Sequence, residues 1–315
     1  MNQRLMEVFE HFVNSYELEI GINTSIYQKK SYFGIKSEPQ CCRFCGKTYP
    51  ETTFKTDSHL IPKFLGSKFL LSYFECDECN SQFKLFENDY ANFIGAIRSI
   101  TGIKGSSKNP KYSKGELTIY QDEENRVIFA SPKLVEELEK GKDQILLPTS
   151  RNKFTPINVY KCLLKIGLCM IDSSEVSNFK SAFNFLKNDE EEVYNNVKNS
   201  MNIIRIFVPG PQIPEYPIVH LFKRKSLKIE LPEKVVVIHI KNLKYQFALP
   251  LNQNDNHLAG KSMDVPMCPI ILKNDFIDKF GDFQFEQIDL SSKNPVINKE
   301  EGIGLRIRNL KKHGD

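Results

Sequence analysis

Four cysteines fall into two C-x-x-C pairs, Cys42/Cys45 and Cys76/Cys79, and a single histidine, His59, stands between them in TDSHLIPKFLG. Thiolates in that doubled spacing are the donor set of a tetrahedral zinc ion. A redox dithiol needs only one such pair, at a strand-to-helix turn, and leaves the second unexplained. Cys41 sits beside Cys42 and could replace it at an x3 spacing. Cys162 and Cys169 lie in an apolar helical stretch and read as small buried hydrophobes. Because four sulfurs complete the zinc, His59 need not be a ligand and is free to act as a base. An imidazole with an unperturbed pKa of about 6.5 suits that role at neutral pH.

These residues need a small scaffold. The Cys42–Cys45 knuckle opens a first strand that ends near His59, and Pro62 and Gly66 then break the chain into a loop. A second strand is expected over about 69–75, and a helix from Cys79 that buries Phe83, Phe86, Tyr90 and Phe93. Zinc would staple the two ends of a hairpin too small to hold itself together.

The order C-x-x-C, DSHLIP with a following glycine, C-x-x-C-N and an acid seven residues on resembles the HNH endonuclease family, with its ββα-metal core, over residues 39–95. The resemblance implies that His59 is the general base activating water for attack on phosphorus. It implies that Asn80 is a ligand to a single divalent cation, or an orienting group, and that Glu87 is a second ligand or orienting acid. In the family the residue before the histidine usually binds the metal; here it is Ser58, with Asp57 one place earlier. Asp57 would reach the ion only from a twisted or bulged strand end. Carboxylate, amide and water oxygens suit Mg²⁺ or Mn²⁺. The implied activity is metal-dependent hydrolysis of phosphodiester bonds in DNA, without excluding RNA, in a bacterial restriction or antiphage-defence setting. The competing reading is a non-catalytic, zinc-stapled module that binds nucleic acid or protein. The two readings differ at His59, not at the cysteines.

Composition sets outer limits. The 315 residues, 40% hydrophobic and 26% charged, suit a soluble globular protein of one large or two modest domains. Residues 1–20 read as an amphipathic helix without the basic start and apolar core of a signal peptide. No apolar run approaches the roughly 18 residues of a membrane span, so a cytoplasmic protein is expected. The net charge of +4 is mild, but basic runs stand at 108–115, 222–228 and 306–314. Lys108, Lys111 and Lys114 are candidate phosphate contacts.

The fold expected is α+β: a lead-in helix (1–38), the zinc-stapled module (39–103), a basic linker (104–115), and a larger α+β domain (116–315) with an antiparallel sheet and a helical pair. That domain would target the nuclease, or bind an activating ligand or a protein partner. Strands are expected at 116–121, 126–130, 202–210, 217–225, 234–241 and 243–250, the last two as a hairpin. Helices are expected around 131–141, over 155–171 with Thr155 as N-cap and Pro156 at the first position, and through 174–189. His220 and His239 lie in apolar strand patterns and read as structural.

Overall fold

The computed structural model describes residues 3–105, 108–122, 124, 127–131, 136, 144–188, 190–211, 216–227 and 230–306. Its strands are β1 (Tyr16–Asn23), β2 (Ser31–Phe33), β3 (Leu70–Ser72), β4 (Tyr112–Lys114), β5 (Leu117–Gln121), β6 (Val127–Ala130), β7 (Gln144–Ser150), β8 (Asn202–Phe207), β9 (Ile218–Arg224), β10 (Lys234–Ile240), β11 (Leu243–Ala248), β12 (Gln284–Asp289) and β13 (Glu300–Arg306). Apolar, β-branched and aromatic residues in IVHLFKR, KVVVIHI and LKYQFA build the main sheet, which is six-stranded and antiparallel, in the order β1-β9-β10-β11-β8-β12. The class is mixed α and β. Among the described residues no helix is long and apolar enough to cross a membrane.

One sheet face, carrying Val219, Leu221, Val236, Ile238, Tyr245 and Phe247, packs into the largest core. The opposite face is covered by Phe9 and Phe12 of the N-terminal helix (Gln3–Ser15) and by Met267, Cys268 and Ile270. The central helix, Pro156–Met170, lies in the large core and is buried along nearly its whole length. It starts as expected, with Thr155 extended and Pro156 in the first turn. At Gly167 a Cβ would sit 2.5 Å from Leu249 Cδ2 and 2.9 Å from Val236 Cγ2, so glycine lets this helix press onto the sheet. Its other side meets the helix Asp77–Ile94. One continuous core therefore joins the cysteine module to the sheet.

Several elements differ from expectation. The N-terminal helix stops at Ser15, and residues 16–23 form an edge strand instead of continuing it. Tyr16 and Ile22 face inward, and Glu19 reaches the fully buried Lys234 Nζ at 2.6 Å, a pairing that the extended chain supplies. Residues 112–114, expected as linker, pair with β5 across a tight turn at Gly115, whose φ of +56° favours glycine. Asp172 Oδ1 accepts from the Ser174 N–H and hydroxyl, turning the chain before residues 180–187 become helical. A further helix, Glu191–Val197, and strands β7, β12 and β13 had no strong sequence signal. The helix expected around 131–141 falls almost wholly outside the described residues, as does the basic run at 306–314.

Candidate active site

The cysteine sulfurs of residues 42, 45, 76 and 79 all lie within 4.8 Å of one another. Cys42 Sγ is 3.8 Å from Cys79 Sγ, and Cys45 Sγ is 3.7 Å from Cys76 Sγ. A tetrahedron with zinc–sulfur bonds of about 2.3 Å has edges of about 3.8 Å, so the spacing fits a zinc site of four thiolates. The Cys79 thiol and the N–H groups of Cys76, Cys45 and Phe44 hold Cys42 as a thiolate, well below the ordinary thiol range despite its burial. Gly46, at φ +71°, closes the knuckle by donating to the Cys42 carbonyl at 2.8 Å. Cys41 is exposed, its sulfur turned to the Gly46 carbonyl, and it lies outside the cluster. Cys162 and Cys169 are buried in the central helix.

The helix that carries the second pair begins at Asp77, earlier than expected, with Cys76 as its N-cap. The Asp77 carboxylate gathers the preceding loop. It accepts from the Thr53 hydroxyl, from Lys55 N at 3.1 Å, and from Thr56 N and Oγ1 at 2.8 and 2.6 Å. Against the desolvation it suffers, these donors hold Asp77 far below the usual carboxylate range. Asn80, one turn on, donates to Thr56 Oγ1 at 3.0 Å, which fixes its amide against the Thr56 hydroxyl. Asp77 and its threonines were missed by sequence reasoning, although C-D-E-C opening a helix carries the signal of acids in a first turn.

His59 sits on a minimal hairpin. Only 58–60 pair with 70–72, through Leu60 N to Leu70 O and Ser72 N to Ser58 O, so the second arm is shorter than the expected 69–75. β2 adds a parallel third strand at Leu70–Ser72. The His59 ring is half-buried, and its Nδ1 is buried with no hydrogen-bond partner. Burial first, then the charges of Lys63 and Lys165, pull its pKa down to about 4, so the imidazole is neutral at pH 7. Its carbonyl accepts from Lys165 Nζ at 2.8 Å.

Ser58 points inward, toward the Glu75 carbonyl, while Asp57 is exposed and ion-paired to Lys30 at 2.6 Å. Asn80 and Glu87 share a helix face, but seven residues place them about 10.5 Å apart along the axis. The two side chains must therefore lean toward each other along the helix to share one ion. Glu87 is instead half-buried, its carboxyl pushed up by burial against the pull of Lys165 and Lys84. The structure thus ties Asn80 to the Thr56 hydroxyl, turns Asp57 to Lys30 and leaves Glu87 half-buried beside the Lys165 charge. Lys108, Lys111 and Lys114 are exposed around the β4–β5 hairpin, and Lys114 Nζ lies 4.0 Å from a Glu300 carboxylate oxygen.

Residues 42–92 match the HNH endonuclease family model. No curated protein and no solved structure matches the chain. The HNH segment contains all four zinc-site cysteines, His59, Asn80 and Glu87, and its family implies a nucleic-acid substrate. Lys30 and Lys165, which touch the HNH hairpin, lie outside it. Among the described residues the four cysteines are the one group of His, Cys, Asp and Glu donors gathered closely enough to share an ion. For a hard catalytic cation, the exposed Asp57 carboxylate and the Asn80 amide are oxygen donors of fitting chemistry.

Proposed function

We propose that the protein is an HNH endonuclease that hydrolyses phosphodiester bonds in DNA, with His59 as general base. The observation that carries this reading is a neutral imidazole on the hairpin of a segment matching the HNH endonuclease family; Asn80 of the same segment is held by the loop that Asp77 organises. Neutral His59 accepts a proton from water as the oxygen attacks phosphorus. Its Nδ1 is enclosed, so Nε2 is the nitrogen left to take that proton. Asn80 orients the phosphate or its ion, and its amide is fixed for this by Thr56. Asp57 and Asn80 would hold Mg²⁺ or Mn²⁺, which supplies positive charge beside the phosphate. Asp57 must first part from Lys30, an exchange the exposure of both side chains permits.

The four-cysteine site is structural in this account: its ligands are sulfurs and it has no open position. Lys108, Lys111 and Lys114 supply sequence-independent phosphate contacts. Any choice of target rests on the region after residue 115, in a restriction or antiphage role within the cytoplasm. The test is cleavage of supercoiled plasmid and of single-stranded DNA and RNA with Mg²⁺ or Mn²⁺, each against a chelator control. Cation-dependent nicking is expected. Binding without cleavage, under every cation, would instead favour a zinc-stapled binding module.

A further inference from the structure

Lys165 lies on the central helix, 106 residues beyond His59 and outside the HNH segment. Its side chain is 2% exposed, yet it carries a charge into the core. Nζ donates to the His59 carbonyl at 2.8 Å and pairs with Glu75 Oε2, also at 2.8 Å, and Glu75 is itself fully enclosed. Against the cost of burial, the Glu75 carboxylate keeps the ammonium protonated. The Phe83 ring, with its centroid 6.0 Å from Nζ, the Cys169 thiol and the half-buried Glu87 carboxylate also surround it, and Glu87 adds to the field that favours the charge. A lysine buried this deeply is costly unless each contact matters. A leucine or methionine would fill the space without an ion pair.

The two acceptors explain the placement. Glu75 directly precedes the second cysteine pair, and His59 lies in the middle of the short arm 58–60, opposite Leu71. The arms share only a few backbone hydrogen bonds, too few to fix one residue's position to a few tenths of an ångström. Lys165 ties them together from outside. Its own position is fixed in turn, because Gly167 seats the helix against Val236 and Leu249 of the sheet. Arg43 of the zinc knuckle caps the same helix, donating from Nη1 to the Leu168, Cys169 and Ile171 carbonyls at 3.3, 3.2 and 2.8 Å.

We propose that Lys165 is a positioning residue for His59, fixing the histidine backbone from the region that follows the HNH segment, so that the central helix and main sheet are part of the catalytic centre. The proposal rests on the nuclease reading of His59. It gives the sheet a mechanical route to the active site: anything that shifts the central helix shifts His59.

The test replaces the ion pair as a unit, because removing one partner strands the other. Lys165→Met/Glu75→Gln removes both charges and the donor to His59. Lys165→Gln/Glu75→Gln keeps a neutral donor at that position. Zinc content and thermal midpoint report folding. Single-turnover cleavage separates rate at saturation from substrate affinity, and the ¹³C carbonyl resonance of His59 reads the hydrogen bond without reference to activity. The methionine double variant should retain zinc, lose at least tenfold in saturated rate with affinity changed less than twofold, and shift the His59 carbonyl resonance upfield. The glutamine variant should recover part of both the rate and the shift. Unchanged rate with a shifted carbonyl would overturn the proposal, as would a rate loss that the glutamine variant does not relieve. If neither variant folds, the wild type decides: a Lys165 ammonium protected from exchange and coupled through its hydrogen bond to the His59 carbonyl supports the proposal, and a freely exchanging one overturns it. A wild type that cleaves nothing but shows that coupling would refute the nuclease reading alone.

Discussion

Replacing Cys79 by serine should open the HNH segment while leaving the main sheet folded. Structural zinc contributes about 10–16 kcal/mol to small zinc-finger peptides near neutral pH, as much as the entire stability of about 5–15 kcal/mol of an ordinary domain. The segment has little to set against that loss. Between Cys41 and Ser58 its regular pairing is a single bridge, Cys41 to Thr48, and 58–60 pair with only three residues. Cys42 also anchors backbone, since Cys76 N donates to its Sγ at 3.4 Å and the knuckle turns about it. The sheet, by contrast, is held by six antiparallel strands and its own apolar faces. Hydrogen–deuterium exchange, read beside zinc content, checks this. Protection should vanish over about residues 41–75 in Cys79→Ser or after chelation and persist in β9, β10 and β11. If amides 58–60 and 70–72 keep their wild-type protection without zinc, the staple argument is wrong. If the sheet opens as well, the shared core transmits the loss further than its strand pairing suggests.

Three other outcomes follow from the same geometry. Gly167→Val should destabilise the protein by about 1–3 kcal/mol through overpacking against Leu249 and Val236, read as a lower denaturant midpoint with unchanged zinc content. Because the His59 pKa lies at about 4, its base form is fully present from pH 6 to 8, and protonation removes it only as pH falls toward 4. An NMR titration of the His59 ring should therefore show no midpoint above pH 5.5; a midpoint near 6.5 would refute the buried, cation-flanked environment. Replacing Lys108, Lys111 and Lys114 together by alanine should weaken DNA binding and flatten its salt dependence by about two to three powers, with the saturated cleavage rate unchanged.

The cysteine pairs and four of the six main-sheet strands, β8, β9, β10 and β11, were legible because each depends on local sequence: C-x-x-C for the knuckles, short apolar runs bounded by turn residues for the strands; Cys41 stayed an alternative to Cys42 until the fold turned its sulfur away. The helix at 156–170 was equally plain, since Thr155, Pro156 and an apolar run mark it. The strand at 16–23 was not, because YELEIGIN carries a helix-compatible pattern, and its extended form depends on β9 and on Lys234, some two hundred residues away. The hairpin under His59 proved shorter than its apolar run suggests, since the Asp77-anchored loop occupies the chain before it. Lys165 was hidden for the same reason as β1. A lysine in an apolar helix looks like a solvated interruption until the fold turns it toward a carboxylate and a carbonyl. Periodicity shows which face is buried; it does not show which distant polar groups share that interior.

The central claim, that His59 is the base of a nuclease, is tested most directly by single-turnover cleavage of one labelled DNA substrate by wild type and His59→Ala at saturating protein and Mg²⁺ or Mn²⁺. A general base contributes about 10² to 10⁴ in rate. The substitution should therefore reduce cleavage by at least 10²-fold, while zinc content and DNA affinity stay at wild-type levels. A His59→Ala protein that keeps its zinc and cleaves within threefold of the wild-type rate would contradict the account.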